Sequence, residues 1–192
     1  MDPSEVERFS RRTKTLEVEP LSQGRIRFES SLVDQSFGGD YEQAEATSLV
    51  VHQFVMDGIA SGDDLKLEAL SVRAEAHPFP QCPFILPVVE DLIGLSLLSG
   101  WRQKILERFR GSAGCTHVTT LLLGLSEVTT LVYFQRMNAH QAYGPRSRAS
   151  GEWIATSLDL GQSLRGACHV LDTGGSVVRR ADAVRERRHG AG

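Results

Sequence analysis

The 192-residue chain is 41% hydrophobic, which suffices for one compact domain with a core and leaves little surplus for a second. Its 21 basic and 24 acidic residues nearly cancel, and the central chain concentrates neither sign, so there is no field to gather nucleic acid or an anionic membrane. Apolar runs such as Leu121 to Leu123 and Phe84 to Leu86 fall far short of the roughly 20 residues that span a bilayer, so no membrane segment is expected. Cys82, Cys115 and Cys168 cannot all pair with one another, and the N-terminus lacks the basic start and apolar run of an export signal. Reduced thiols and a cytoplasmic location are the expectation.

Residues 1–12 are polar and charged without apolar periodicity and read as a flexible lead, with order beginning near Thr13. Leu16 and Val18 then alternate with Glu17 and Glu19, and Ile26 and Phe28 with Arg25, Arg27 and Glu29, which is the period of half-buried strands joined by a turn over Leu21 to Gly24. A third strand over Ser48 to Ala60 and a fourth over Leu65 to Ala74 flank Ser61-Gly62-Asp63-Asp64, whose composition suits a tight connection. The first half is predicted to be an antiparallel sheet.

The texture changes at His77. Pro78, Pro80, Pro83 and Pro87 crowd together, and apolar residues then recur at helical spacing. Ile85, Val88, Val89, Leu92 and Ile93 form one stripe, Trp101, Ile105, Leu106 and Phe109 a second, and Val118, Leu121, Leu122, Leu125 and Val128 a third. Three helices follow. Asn138 to Gly151 reads as an exposed polar loop. Cys168 to Leu171 and Ser176 to Arg180, on either side of Asp172-Thr173-Gly174-Gly175, read as a hairpin that rejoins the sheet. The Arg-rich residues 181–192 read as a disordered tail. The fold class is α+β: one domain over 13–180, an antiparallel sheet covered on one face by about three helices, closed by a C-terminal hairpin.

Gly114-Cys115-Thr116-His117 stands out for chemistry, because it follows a glycine-marked break and immediately precedes the longest helical stripe, where Thr116 can cap the helix. A thiol and an imidazole at a helix N-terminus meet the positive end of its dipole, which favours thiolate and disfavours imidazolium. His117 would then be neutral and able to accept a proton. The competing reading makes Cys115 a small buried hydrophobe and His117 a surface or capping residue. His52, with Gln53, interrupts the apolar run of the third strand on a sheet where a ligand pocket could open; the alternative is a satisfied core histidine. Trp101-Arg102 offers a guanidinium beside an aromatic wall, or simply a packed Trp with a solvent-facing Arg.

Metal binding finds little support. Cys115 and His117 are two apart, a spacing that does not share a helix face, and Cys168 and His169 are adjacent on a predicted strand and point to opposite sides. A site assembled from Cys82, one of Cys115 or His117, and one of Cys168 or His169 matches no recognised ligand spacing. No metal and no cofactor are therefore expected, and no nucleotide-binding glycine pattern occurs.

Taken together, Pro78-Phe79-Pro80-Gln81-Cys82-Pro83, Leu92-Ile93-Gly94-Leu95, Gly100-Trp101-Arg102, Gly114-Cys115-Thr116-His117, Cys168-His169-Val170-Leu171 and Gly175-Ser176-Val177-Val178-Arg179 resemble the bacterial domain of unknown function 2889 family, over roughly Arg11 to Arg180. This chain has Val118 where the family usually shows leucine, and lacks the family's tryptophan-containing strand near Gly24 to Phe28. The resemblance implies a small cytoplasmic protein of no agreed activity, loosely associated with bacterial breakdown of aromatic or acyl compounds. It suggests a cofactor-independent lyase acting on a small phenolic, lignin-type molecule, for example releasing formaldehyde from a hydroxymethyl side chain. On that expectation His117 or His52 is the catalytic base, Arg102 stabilises charge, and Cys115 is a pocket or helper group. Two other classes remain open: a metal- or sulfur-handling protein using Cys82, Cys115 and Cys168, and a non-catalytic binding module in which the sheet face and the long third helix form a homodimer.

Overall fold

The computed structural model describes residues 9–38, 48–139, 144–160 and 164–190. Four antiparallel strands lie in sequence order: β1 (Phe9–Pro20), β2 (Arg25–Phe37), β3 (Ser48–Ser61) and β4 (Lys66–Ala76). The four strands expected in the first half are all present. β1 begins at Phe9, inside the stretch expected to be a flexible lead, and Arg12 pairs in register with Asp34 on β2. The period-2 pattern decides which face is covered: Ile26, Phe28, Ser30 and Leu32 of β2 are buried, while Arg27 and Glu29 between them face the other way. On β3 the same phase buries Phe54, Met56 and Ala60. Gly58 continues that phase because the Phe28 ring lies directly on it; a Cβ there would stand 2.2 Å from the ring.

After β4, Cys82–Leu92 is a run of 3₁₀ turns rather than the α-helix its stripe suggested. Pro87 within it has no N–H to give to a helical bond, and of the stripe only Val89 and Leu92 are buried. The chain then runs extended beside β4, where Leu67 N–H donates to Leu95 O (2.9 Å) and Gly94 N–H to Leu67 O (2.8 Å), so that part of this sheet edge is covered. Helices α1 (Trp101–Arg108), α2 (Thr116–Gly124) and α3 (Val128–Ala139) follow. Trp101, Ile105, Val118, Leu121, Leu122 and Leu125 are buried, as their spacing predicts, and α2 packs on β2 and β3. The α+β class and the antiparallel sheet are thus as expected.

The chain forms two compact units, Met1–Thr129 and Thr130–Gly192, where its length suggested one core. The second unit contains no closing hairpin among the described residues. Cys168 precedes a 3₁₀ turn, His169–Leu171, and the Asp172 to Gly175 turn leads into α6 (Ser176–Gly190). Over a window longer than the five residues read as a strand, Val178, Ala181 and Val184 recur every third residue and are buried. The Arg-rich stretch read as a tail is therefore helix through Gly190, with Arg187, Arg188 and His189 in its last turn, where cations suit the dipole. The expected loop before it contains α4 (Pro145–Ser150); 140–143 lie outside the described residues. With α5 (Glu152–Leu160), α6 builds its own small core from Ile154, Ala155, Leu158, Ala181 and Val184, and Arg185 and Arg188 both reach Asp159.

Among the described residues, one helical run, Thr116–Asn138, has the length and composition to cross a bilayer, although no such segment was expected. Within the first unit its Val118, Leu121, Leu122, Leu125 and Val128 are fully buried, which is how a core helix uses its apolar residues.

Candidate functional site

The covered face of the sheet carries three polar residues in one row across the strands. Arg12 on β1 lies opposite Asp34 on β2, and Asp34 lies opposite His52 on β3. The β2–β3 register slips immediately after this row, between Asp34 and Gln35, a bulge of the kind that re-aims side chains beside functional sites. Above the row, the first turn of α2 lowers His117 onto the same carboxylate. Gly114 makes that entry feasible: the chain passes so close to the end of α1 that a Cβ would stand 2.3 Å from Phe109 O.

Asp34 is the hub. Arg12 grips it with two charge-assisted hydrogen bonds, Nε to Oδ1 at 2.6 Å and Nη2 to Oδ2 at 2.7 Å. Oδ2 also lies 3.2 Å from His52 Nδ1 and 3.2 Å from His117 Nε2. The two imidazoles stack on each other with centroids 3.9 Å apart, and Phe54 stacks nearly parallel to His117 at 5.5 Å. The side chains of Asp34, His52 and His117 retain only 18%, 20% and 14% exposure, so solvent screening within the group is weak.

The electrostatics follow from these contacts. The Arg12 hydrogen bonds, foremost, hold the Asp34 carboxyl below its ordinary range against the opposing effect of burial, and both imidazoles add to the lowering. His117 is pushed below the ordinary imidazole value by burial first and by His52 next, with Asp34 pulling the other way. An ionised Asp34 between two imidazoles favours the tautomers that carry N–H on the nitrogens facing it, Nδ1 of His52 and Nε2 of His117, which leaves the lone pairs on His52 Nε2 and His117 Nδ1. Each histidine then has one basic nitrogen and one anchored nitrogen.

His117 Nδ1 faces Cys115 Sγ at 3.7 Å. The two-residue spacing was expected to keep this pair apart, and it would within a helix. Cys115, however, is the cap residue itself, with extended φ −113° and ψ 132°, so its side chain folds back over the first turn. Thr116, read from the sequence as the cap, is the first residue of α2.

Of the four residues singled out in the sequence, His117, His52 and Cys115 therefore come together. Arg102 does not join them: it lines an open cleft of about 840 Å³ with Leu97, Trp101, Leu106 and Arg110, and the cation that acts on Asp34 is Arg12. Cys82 starts the 3₁₀ run, Cys168 is exposed in the second unit, and neither belongs to the donor cluster found among the described residues, Asp34, His52 and His117. Asp34 and Arg12 were missed. Asp34 had a legible signal, since the alternation of Ile26, Phe28, Ser30 and Leu32 puts residue 34 on the covered face, where a carboxylate needs a reason.

No curated protein and no solved structure matches the chain. Residues 10–131, which include Arg12, Asp34, His52, Cys115 and His117, match the family described as "Protein of unknown function (DUF2889)". That match covers more than half of the 192 residues, and the chain belongs to this family.

Proposed function

We propose that the protein is a cofactor-independent enzyme for small molecules, with Asp34, His52 and His117 as its acid-base centre. The observation that carries this reading is the single oxygen, Asp34 Oδ2, held 3.2 Å from a nitrogen of each of two stacked imidazoles. A neutral imidazole with one nitrogen anchored on a carboxylate is oriented for proton transfer at the other, and its partly buried position keeps it unprotonated near neutral pH.

The reaction class we favour is a lyase on phenolic, lignin-type molecules in the bacterial cytoplasm, releasing formaldehyde from a hydroxymethyl side chain. The basic imidazole nitrogen takes the hydroxyl proton, and the O–H electron pair becomes the new C=O bond. The electron sink is a quinone methide, formed when the phenol loses its proton and expels a benzylic hydroxyl as water; the carbon–carbon bond breaks toward it, and the electron pair restores the aromatic phenolate, which takes up the proton held by the imidazolium. Arg12 replaces Arg102 as the cation of this proposal, acting through Asp34. The test is a formaldehyde assay on a panel of hydroxymethyl-bearing phenolic dimers, comparing the native protein with His117→Ala and His52→Ala. A loss of roughly 100-fold to 10,000-fold in either variant with native-like circular dichroism supports the centre. Undiminished turnover in both removes it.

A second reading has its own observation: one donor atom from each of Asp34, His52 and His117 lies within 4.8 Å of the others, and two imidazoles with one carboxylate is a donor set for zinc or non-haem iron. Against it, Arg12 occupies both carboxylate oxygens, and a dication would have to displace or adjoin that guanidinium. Elemental analysis of tag-free protein after dialysis with zinc or ferrous iron decides between them. Stoichiometric metal lost on His52→Ala would replace the acid-base reading. A homodimer is a further proposal, tested by sedimentation velocity.

A further inference from the structure

We propose that Cys115 is a nucleophile, activated by His117 and oriented through it by Asp34, that accepts acyl groups from small esters or thioesters. The inference rests on the reading of His117 as a neutral base braced by Asp34, and it assigns that base a proton on the protein itself.

Three observations converge. Cys115 Sγ, His117 Nδ1, His117 Nε2 and Asp34 Oδ2 form a line of hydrogen-bond contacts, 3.7 Å from sulfur to imidazole and 3.2 Å from imidazole to carboxylate. This is the nucleophile–base–orienter arrangement in which the third group fixes the tautomer and stabilises the imidazolium. Cys115 is partly accessible and is the N-cap residue of α2, and its side chain makes no cap hydrogen bond, so the first-turn N–H groups that a cap would take are left to serve as donors to an oxyanion. Phe54, stacked on His117, keeps the ring from turning away. Among the described residues, neither Cys82 nor Cys168 has an imidazole or carboxylate partner of this kind.

The chemistry balances without an outside oxidant or reductant. His117 Nδ1 takes the Sγ proton, and the sulfur attacks the acyl carbon. The carbonyl electron pair moves to oxygen, held by the first-turn N–H groups. As the C=O re-forms, the bond to the leaving alcohol or thiol breaks, and Nδ1 returns the proton to the leaving group. Water, deprotonated by the same nitrogen, then hydrolyses the acyl-cysteine and restores the thiol.

The full chain carrying Cys82→Ser and Cys168→Ser is mixed with p-nitrophenyl acetate in a stopped-flow instrument, and the protein is weighed intact and after digestion. The expected result is a burst of p-nitrophenolate, stoichiometric with protein, and one acetyl group on the peptide containing Cys115. In this background Cys115→Ala abolishes the burst, and His117→Gln slows it by about 100-fold, the scale of a lost general base. Asp34→Asn, which keeps the side-chain shape, slows it by about tenfold or more with native-like circular dichroism. Acetylation no faster than that of a free cysteine peptide, or an unchanged rate in His117→Gln, overturns the proposal. The assay needs no phenolic substrate, so an inert Cys115 leaves the formaldehyde reading standing, and absence of formaldehyde release leaves this one standing.

Discussion

The two faces of the sheet each carry a carboxylate held by arginine across neighbouring strands, and they do different things with it. On the open face, Asp57 of β3 sits between Arg27 of β2 (3.1 Å) and Arg73 of β4, within a net that includes Glu19, Glu29 and Glu75. Both of its partners are permanent cations in contact with water, so the group has no proton to move and little energy to give. On the covered face, Asp34 has one permanent cation, Arg12, and two partners that can gain or lose a proton, His52 and His117. The difference teaches that what makes a carboxylate useful here is the titrating identity of its neighbours and their shelter from solvent, not the ion pair.

The sharpest way to break the comparison is to neutralise both carboxylates. Asp34→Asn is expected to lower turnover by about 100-fold or more, since both imidazoles lose the acceptor that fixes their tautomers, whereas Asp57→Asn leaves turnover unchanged. Equal losses from the two would dissolve the distinction. Adjacent residues make the second test: Phe28, fully buried over Gly58, and Arg27, pointing the other way. Phe28→Ala is expected to cost about 3–5 kcal/mol in urea unfolding, and Arg27→Ala to leave the midpoint nearly where it was.

Acidification gives the third test. Because His117 titrates below its ordinary 6.5 in the fold, the unfolded chain binds a proton there first, so stability present above pH 6.5 is lost as pH falls from 6.5 toward the depressed value. The loss attributable to Asp34 begins only below its ordinary 3.8, as pH falls toward its own depressed value. His117→Gln should flatten the first region and leave the second; a curve identical to the native one there would remove His117 from the account. The smallest effect expected is on stability in Asp57→Asn, a shift in Tm of no more than about 2–4 °C for a chain of this size.

Much of the fold was legible because the alternation in β1 to β3 and the stripes around Trp101 and Val118 are long enough to declare their period. The failures have two causes. Ser176 to Arg180, taken in five residues, shows two adjacent valines that suit a strand, and only the extension to Val184 reveals the three-residue recurrence of α6. Pro87 converted a helical stripe into 3₁₀ turns. At the site, His52, Cys115 and His117 were conspicuous as residue types. Arg12 and Asp34 were not, since Arg12 lies in a charged stretch whose strand pairing exists only once β2 is beside it, and charged residues on strands usually face water. Arg102 looked equally suitable in sequence, and only the register of β1 on β2 selects Arg12 instead.

Arg12, Asp34, His52 and His117 come from four different elements, the outermost about a hundred positions apart in the chain. During synthesis no fragment that stops short of α2 can therefore hold the complete set, which waits until α2 has been made and has settled on the sheet. If the centre liberates a reactive aldehyde, this delays the hazard until the first unit is complete, and a copy that loses its α2 docking falls silent before it unravels.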